Sequence, residues 1–228
     1  VGGNEGVGRV EALGAEVSNI KVGQMVLLPV GCGTWVSHLN ALANKLIPLP
    51  EADPQQLAML TVNPPTASLM LSQFVDLKPG DWVIQNAANS GVGSYLIQLA
   101  KLRGFKTLNE VRRESAVAGV KAEGGDVVLV DGPDLAKRVR AATGGVGVRL
   151  GIDAVGGEAT DHLAASLCEG GVLVNYGMMS RQPCQVSPAS FVFRDVSLRG
   201  FWLAKWFQNA SQAEQMKVFG ELVQLIAS

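Results

Sequence analysis

Residues 81–104 of the 228-residue chain read DWVIQNAANSGVGSYLIQLAKLRG. The apolar run Trp82–Gln85 predicts a buried strand, and the spacing of apolar residues over Gly91–Arg103 predicts a helix. Between them lies a turn of small residues, which lets the backbone come close to an anion. The first N–H groups of the helix are free to bind that anion. The segment therefore predicts a strand–turn–helix unit whose turn binds a phosphate group.

Strands and helices continue to alternate after this unit. Further strands are predicted over 106–111, 126–130, 148–154, 171–176 and 196–201, and further helices over 114–123, 135–143, 158–168 and 212–227. Repeated βα units of this length form a parallel sheet with helices on both faces. We therefore predict a doubly wound α/β fold whose first strand leads into the phosphate turn.

The first fifty residues have a different pattern. Glycines separate short β-prone runs such as 7–13 and 24–29, which is typical of antiparallel strands joined by tight turns. So few residues make a small core, and the chain opens at Val1 in strand-like sequence. We therefore expect residues 1–52 to be part of a larger β domain that begins upstream. Residues 53–228 are predicted to be the dinucleotide-binding domain.

The residues that join the two predicted domains favour helices. A helical pattern covers Gln55–Leu60 and resumes over Thr66–Phe74. The segment Val62–Pro65 is predicted to interrupt it, because proline is a poor residue inside a helix.

Composition excludes several classes of protein. Hydrophobic residues make up 47% of the chain and charged residues 17%, which argues for a folded core. A net charge of −1 without a basic run argues against a nucleic-acid partner. No apolar run is long enough to cross a bilayer, so no membrane partner is expected. Cys32, Cys168 and Cys184 are far apart, which argues against a disulfide framework and against a zinc site.

The turn matches the dinucleotide-binding fingerprint in a small-residue form. Ala87, Ser90 and Gly93 occupy the spacing at which that fingerprint usually has glycines. The strand before the turn and the long helix after it favour a dinucleotide over the alternative of a plain tight turn. A hydrolase nucleophile at Ser90 is disfavoured, because Ala88 and Val92 stand where that motif has two glycines.

The end of the second strand distinguishes NADH from NADPH. An acidic residue there binds the ribose 2′-hydroxyl group, whereas an arginine accepts a 2′-phosphate. Arg112 lies 19 residues after Gly93 and is followed by Arg113. Two guanidinium groups suit a phosphate dianion, so we predict NADPH, with a solvated arginine pair as the alternative. Glu110, inside a strand predicted to be buried, is unexplained by the sequence pattern.

A series of motifs runs through the chain in a fixed order. They are GGNEGVG (2–8), GTW (33–35), VNPPTA (62–67), QNAANSGVG (85–93), VRRE (111–114), DAVGG (153–157), NYGMM (175–179) and LRGFWL (198–203). With them the chain resembles medium-chain dehydrogenases/reductases of the zinc-free, quinone-reductase-like branch, and most of all the 2-enoyl thioester (enoyl-CoA/ACP) reductases. The resemblance implies a Rossmann domain preceded by a partial GroES-like domain. It also implies that N- and C-terminal parts of the family's catalytic domain lie outside the chain.

The resemblance implies roles for the residues at matching positions. Those implied to bind the cofactor are Asn63, Asn89, Ser90, Gly91, Val92, Gly93, Arg112, Arg113, Tyr176, Gly177, Met178, Met179, Phe201, Trp202 and Leu203. Trp35 and Trp202 are implied to line the substrate pocket, with core packing as the alternative for each. Zinc-containing members have a His where this chain has Asn4, so no metal is expected. The family's proton-donating tyrosine lies upstream of Val1, which leaves the catalytic residue unassigned.

The implied activity is NADPH-dependent reduction of the 2,3 double bond of an enoyl thioester, in which hydride adds to Cβ and a proton to Cα. The alternatives are an NADPH:quinone or carbonyl reductase, and a non-catalytic NADPH-binding protein. The partner is then an acyl thioester or a quinone. The family pairs the edge strand 196–201 with its twin, so a homodimer is expected. A bacterial-type cytoplasmic location is expected, or the mitochondrial matrix if a transit peptide precedes the chain.

Overall fold

The computed structural model describes residues 2–227, and these fall into two compact units. The first unit contains the residues up to Pro65 together with those from Lys205 onward. The second unit is Thr66–Ala204. The domain boundary expected between residues 52 and 53 differs from this grouping and stays a prediction.

The secondary structure of residues 2–227 follows the sequence pattern closely. The strands are β1 (Val7–Arg9), β2 (Met25–Leu27), β3 (Ile47–Pro48), β4 (Trp82–Gln85), β5 (Lys106–Val111), β6 (Val127–Val130), β7 (Val148–Asp153), β8 (Val172–Asn175) and β9 (Ser197–Gly200). The α-helices are α1 (Pro54–Ala58), α2 (Asn63–Gln73), α3 (Gly91–Leu102), α4 (Val117–Ala122), α5 (Leu135–Ala142), α6 (Glu158–Ser166), α7 (Pro188–Val192), α8 (Leu203–Asn209) and α9 (Gln212–Ala227). Each predicted βα element is present, with ends that differ by at most three residues. None of the helices in this range combines the length and apolarity needed to span a bilayer.

The prediction failed at α2, because this helix begins at Asn63 and includes both Pro64 and Pro65. Prolines in the first turn of a helix are tolerated, since the N–H groups of that turn have no partner within the helix. The predicted interruption of the helical segment is therefore confirmed only at Val62, which follows a 3-10 helix over Met59–Thr61, and is wrong for residues 63–65. Helix α7 was missed, although Ser187 caps it and Pro188 occupies its first turn, which is a common start signal.

The first unit contains a small antiparallel sheet of β1, β2 and β3. Strand β2 lies in the middle of this sheet and all three of its residues are buried. The sheet fits a partial GroES-like domain. Helix α9 belongs to the same unit and contacts α1, so the chain returns to this unit after the second one.

The second unit is built on a parallel sheet with the strand order β6-β5-β4-β7-β8-β9. One of its faces packs a core that includes Trp82, Leu108 and Leu163. The opposite face packs a smaller core that includes Ile97 and Val120. The predicted doubly wound sheet is confirmed. The order reverses between β4 and β7, and in such sheets ligands bind outside the carboxyl ends of the strands at that point.

Candidate dinucleotide-binding site

The turn between β4 and α3 lies at the point where the strand order reverses. Ala87 adopts a left-handed backbone conformation with φ of 48°, and its carbonyl accepts a hydrogen bond from the Ser90 N–H at 2.9 Å. The Ser90 hydroxyl caps α3 by accepting from the Gly93 N–H at 3.2 Å. Ser90 itself has extended backbone angles (φ −90°, ψ 166°). It therefore lacks the strained conformation that a hydrolase nucleophile elbow requires.

Gly93 packs against the backbone of this turn without room for a side chain. A Cβ atom at Gly93 would lie 2.7 Å from the Ala88 carbonyl carbon and 2.9 Å from the Ala87 carbonyl oxygen. The first turn of α3 therefore lies directly against the end of β4. This close approach brings the N-terminus of the twelve-residue helix α3 to the turn, and the positive end of the helix dipole suits a pyrophosphate group.

Buried polar side chains of β4 and β5 form a hydrogen-bond network that supports the turn. The Gln85 side chain donates to the Gly93 carbonyl at 3.1 Å and to the Asn109 side-chain oxygen at 2.9 Å. The Asn109 amide in turn donates to the Thr107 hydroxyl at 2.9 Å. All three side chains are buried. This network was not predicted from the sequence, although polar residues inside two predicted buried strands are a visible signal.

The predicted cofactor residues after β8 lie beside the phosphate turn. The Tyr176 hydroxyl lies near that of Ser90. The pKa of Tyr176 is raised to about 12, mainly by burial; the Ser90 hydroxyl lowers it, and the nearby Asp153 carboxylate adds to the rise. The Tyr176 N–H donates to the Asp153 carbonyl at 2.9 Å, and the Met179 N–H donates to the Ala154 carbonyl at 3.1 Å. The segment 176–179, which follows β8 in the chain, is thus hydrogen-bonded to the carboxyl end of β7.

Arg112 and Arg113 directly follow β5 on the loop that leads into α4. Both side chains are exposed. The carboxyl ends of β5 and β4 are neighbours in the sheet, since Gln85 is paired with Asn109. The arginine pair is therefore available to an anion at the same edge of the sheet as the phosphate turn.

The remaining predicted residues lie in several places. Met178, Met179 and Trp202 are exposed, and the Trp202 side chain is 69% accessible. Phe201 packs edge-to-face on Phe74, with ring centroids 6.1 Å apart. Leu203 begins α8. These residues follow β8 and β9, at the same edge of the sheet as the turn.

Asn63 and Trp35 belong to the first unit, so their positions are described within that unit. Asn63 is the first residue of α2 and is partly buried. Trp35 is 80% exposed, and its Cε3 atom would lie 2.7 Å from a Cβ atom at Gly2. Trp35 lies outside a cavity of about 470 Å³ in this unit, which Glu5, Thr34 and His38 help to line. Neither Trp35 nor Trp202 packs in a core formed by residues 2–227, because both side chains are exposed there.

Glu110, unexplained by the sequence, is a buried acid on β5. It is 4% exposed, and no group in residues 2–227 forms a hydrogen bond with its Oε2 atom. Its pKa is raised to about 9, mainly by burial and to a lesser extent by the Asp131 and Asp153 carboxylates, while Arg138 opposes the rise. The Glu110 backbone carbonyl accepts from the Ala88 N–H at 3.1 Å. Glu110 therefore contacts the phosphate turn through its backbone, while its side chain interacts with the Asp131 and Asp153 carboxylates.

Neither histidine is part of a cluster that could hold a metal ion. His162 lies 2.6 Å from Asp131, and His38 lies 3.2 Å from Glu11. No group of three or more His, Cys, Asp and Glu residues within 2–227 is arranged to bind a metal. The residues present do not fit a catalytic zinc, which needs three protein ligands.

The reversed strand order, the small-residue turn and the packing of Gly93 define a Rossmann-type α/β protein of the dehydrogenase class. Residues 91–220, more than half of the chain, match the family model described as zinc-binding dehydrogenase. The chain belongs to this family, and within it to the zinc-free, enoyl thioester reductase-like branch of the medium-chain dehydrogenases/reductases.

Two relatives illustrate the similarity in sequence. The mitochondrial enoyl-acyl-carrier-protein reductase of Caenorhabditis elegans is 41% identical over 221 residues, which cover 94% of this chain and 63% of the relative. The enzyme of the same name from Dictyostelium discoideum is 37% identical over 237 residues, covering 99% of this chain and 67% of the relative. The chain therefore spans less than two thirds of the length of the C. elegans protein.

Solved structures are similar over nearly the whole chain. The mitochondrial 2-enoyl thioester reductase Etr1p/Etr2p heterodimer from Candida tropicalis has a TM-score of 0.88 and 27% identity, with 99% of this chain and 67% of that chain covered. The Etr1p complex with NADP and crotonyl-CoA has a TM-score of 0.87 and 28% identity, with the same coverage. A Bacillus thuringiensis protein proposed to be an NADPH:quinone reductase has a TM-score of 0.86 and 29% identity, covering 99% and 68%.

Proposed function

We propose that the protein containing this chain is an NADPH-dependent reductase that acts on the 2,3 double bond of an enoyl thioester. The observation that carries this proposal is the phosphate turn with Gly93 pressed against it, in a chain 41% identical to an enoyl-acyl-carrier-protein reductase. The similarity to Etr1p bound to NADP and crotonyl-CoA supports both the cofactor and the substrate class.

The residues at the sheet edge suit the parts of NADPH. Segment 89–93 would hold the pyrophosphate with the N–H groups of Asn89, Gly91 and Val92 and with the α3 dipole, since the Ser90 and Gly93 N–H groups bond within the turn. Arg112 and Arg113 would bind the 2′-phosphate. Segments 176–179 and 201–203 would line the nicotinamide. NADPH supplies the hydride when it is bound, and the protein orients it and excludes competing reactions.

The test follows loss of NADPH absorbance with crotonyl-CoA and, separately, with a quinone. We expect turnover with the thioester. Turnover of the quinone alone would instead favour the second candidate, the quinone reductase, which the B. thuringiensis similarity supports. NADPH binding without turnover of either compound would favour a non-catalytic nucleotide-binding role for the chain.

Replacing Arg112 with Ala is expected to weaken NADPH binding roughly 10- to 100-fold and to leave NADH binding nearly unchanged. The reason is that a charge-assisted hydrogen bond to the 2′-phosphate contributes about 1.5–3 kcal/mol. Reduced-nicotinamide fluorescence titrations with both cofactors measure the effect. Arg140→Ala removes another exposed arginine, on α5, and serves as the control for net charge. The role of Arg112 is refuted if the unchanged protein binds NADH as tightly as NADPH.

We infer that the protein forms a homodimer through β9. Strand β9 is the last strand of the sheet, and all four of its residues are exposed in the single chain. The edge of a sheet presents unpaired N–H and C=O groups, and a second copy of the same strand can pair with them. The Etr1p/Etr2p structure is a heterodimer, which supports pairing in this branch. Sedimentation equilibrium would give a mass near twice 24.0 kDa, whereas a monomer mass would contradict the inference.

A mitochondrial location is favoured over the bacterial-type cytoplasm expected from the sequence. Both curated relatives described above are named as mitochondrial enzymes, and they give the cytoplasmic expectation no support. Fractionation of source cells with an antibody to the chain would test the location. Recovery of the protein outside mitochondria would contradict it.

A further inference from the structure

The Asp153 carboxylate, at the carboxyl end of β7, is fully buried and accepts hydrogen bonds from several elements. Its Oδ1 atom accepts from the Asn86 side chain at 2.7 Å and from the Val155 and Gly156 N–H groups at 2.9 and 3.0 Å. Its Oδ2 atom accepts from the Thr160 hydroxyl at 2.8 Å and from the Asn175 amide at 3.0 Å. One carboxylate therefore holds together the ends of β4, β7 and β8 and the start of α6.

Asn175 extends this arrangement toward the turn that follows β8. The amide that donates to Asp153 also donates to the Gly177 carbonyl at 2.9 Å. Gly177 has no room to move inward, since a Cβ atom there would lie 2.6 Å from the Ala154 carbonyl oxygen. The Asn175 side chain thus bridges a fixed carboxylate and the backbone of the segment 176–179.

We propose that Asn175, held by Asp153, is a positioning residue for the cofactor: it fixes the backbone of segment 176–179 against which the nicotinamide binds. This inference rests on the proposed function, because that function places the nicotinamide at segment 176–179. Asn175 acts through the Gly177 backbone, so its effect appears as the affinity for NADPH.

Thr160 provides a matched comparison. Thr160 and Asn175 each donate one hydrogen bond to the same Asp153 oxygen, but the Thr160 hydroxyl lies on α6 and has no bond to segment 176–179. Replacing either side chain with an apolar one of similar shape leaves that oxygen with one donor fewer. A purely structural role predicts equal effects of the two replacements, whereas a positioning role predicts an effect on NADPH only for Asn175.

The experiment compares Asn175→Leu with Thr160→Val by two measurements, thermal unfolding and NADPH affinity from fluorescence titration. Both variants are expected to lower Tm by a few degrees. The dissociation constant for NADPH is expected to rise about tenfold in Asn175→Leu and to change less than twofold in Thr160→Val. Asn175→Thr keeps a donor for Asp153 but cannot reach both groups. Asn175→Thr is expected to weaken NADPH binding as well. If Asn175→Leu does not fold, the threonine variant still tests the proposal.

Three outcomes would each contradict either the proposed function or the positioning role of Asn175, and the measurements distinguish them. If the unchanged chain does not bind NADPH, the proposed function fails. If it binds NADPH and the folded Asn175 variants bind equally tightly, only the positioning role fails. The positioning role also fails if Thr160→Val weakens binding as much as Asn175→Leu, because the effect would then come from the carboxylate as a whole.

Discussion

Gly93→Ala is expected to reduce NADPH affinity at least 100-fold. The added methyl group would overlap the backbone of Ala87 and Ala88, and the nearest atoms are carbonyl groups that cannot rotate away as a flexible side chain can. Either the start of α3 moves away from β4 or the turn opens. Both changes remove N–H groups from the anion, and each such hydrogen bond to a charged group contributes about 1.5–3 kcal/mol.

Gly119→Ala in α4 is the matched control for this change. Gly119 is also a helical glycine, but nothing lies within 4 Å of a Cβ atom built there. Alanine is the better helix former by about 1 kcal/mol, so Gly119→Ala is expected to raise stability slightly and leave NADPH binding unchanged. Fluorescence titration and thermal unfolding of both variants measure the contrast. Tight NADPH binding by Gly93→Ala would remove Gly93 from the proposed phosphate site.

The fold was predictable because the sequence repeats one strong local signal. Apolar strands and amphipathic helices alternate from β4 onward, and the strand–turn–helix signal of residues 82–103 depends only on neighbouring residues. The beginning of α2 was not predictable from a rule against proline, since the same residue is unfavourable within a helix and tolerated in its first turn. Grouping α9 with the first unit depends on contacts between residues more than 100 positions apart in sequence, which periodicity does not report.

The candidate site was only partly predictable. Its backbone part, from Ala87 to Gly93, has a motif because glycine and alanine are required wherever the backbone comes close to a ligand. Asp153 begins the motif DAVGG (153–157), but the motif does not reveal its hydrogen bonds, because the donors come from four elements that the sheet brings together. Glu110 and Asp131 are likewise 21 residues apart in the chain and interact only because β5 and β6 are neighbours. Interactions between charged groups across a sheet follow from its strand order.

Glu110→Gln is expected to stabilise the protein at pH 8 by about 2 kcal/mol or more, and to have almost no effect at pH 4.5. The unfolded chain releases the Glu110 proton near the ordinary pKa of 4.5, whereas the folded protein retains it up to about pH 9. Between these values the folded state binds more protons than the unfolded state. Stability is therefore lost as the pH rises through this window. Gln is neutral at every pH, and so the variant avoids this loss.

Denaturant unfolding of both proteins at several pH values between 4.5 and 9 measures the difference. Glu123→Gln changes an exposed carboxyl group at the end of α4 and is expected to shift stability by less than about 0.5 kcal/mol, without the same trend. A constant difference between Glu110→Gln and the unchanged protein across the range would mean that Glu110 is ionised when folded. The carboxyl group would then need a partner within the cluster of Asp131, Asp153 and Arg138, and Arg138 is the cation that opposes the raised pKa.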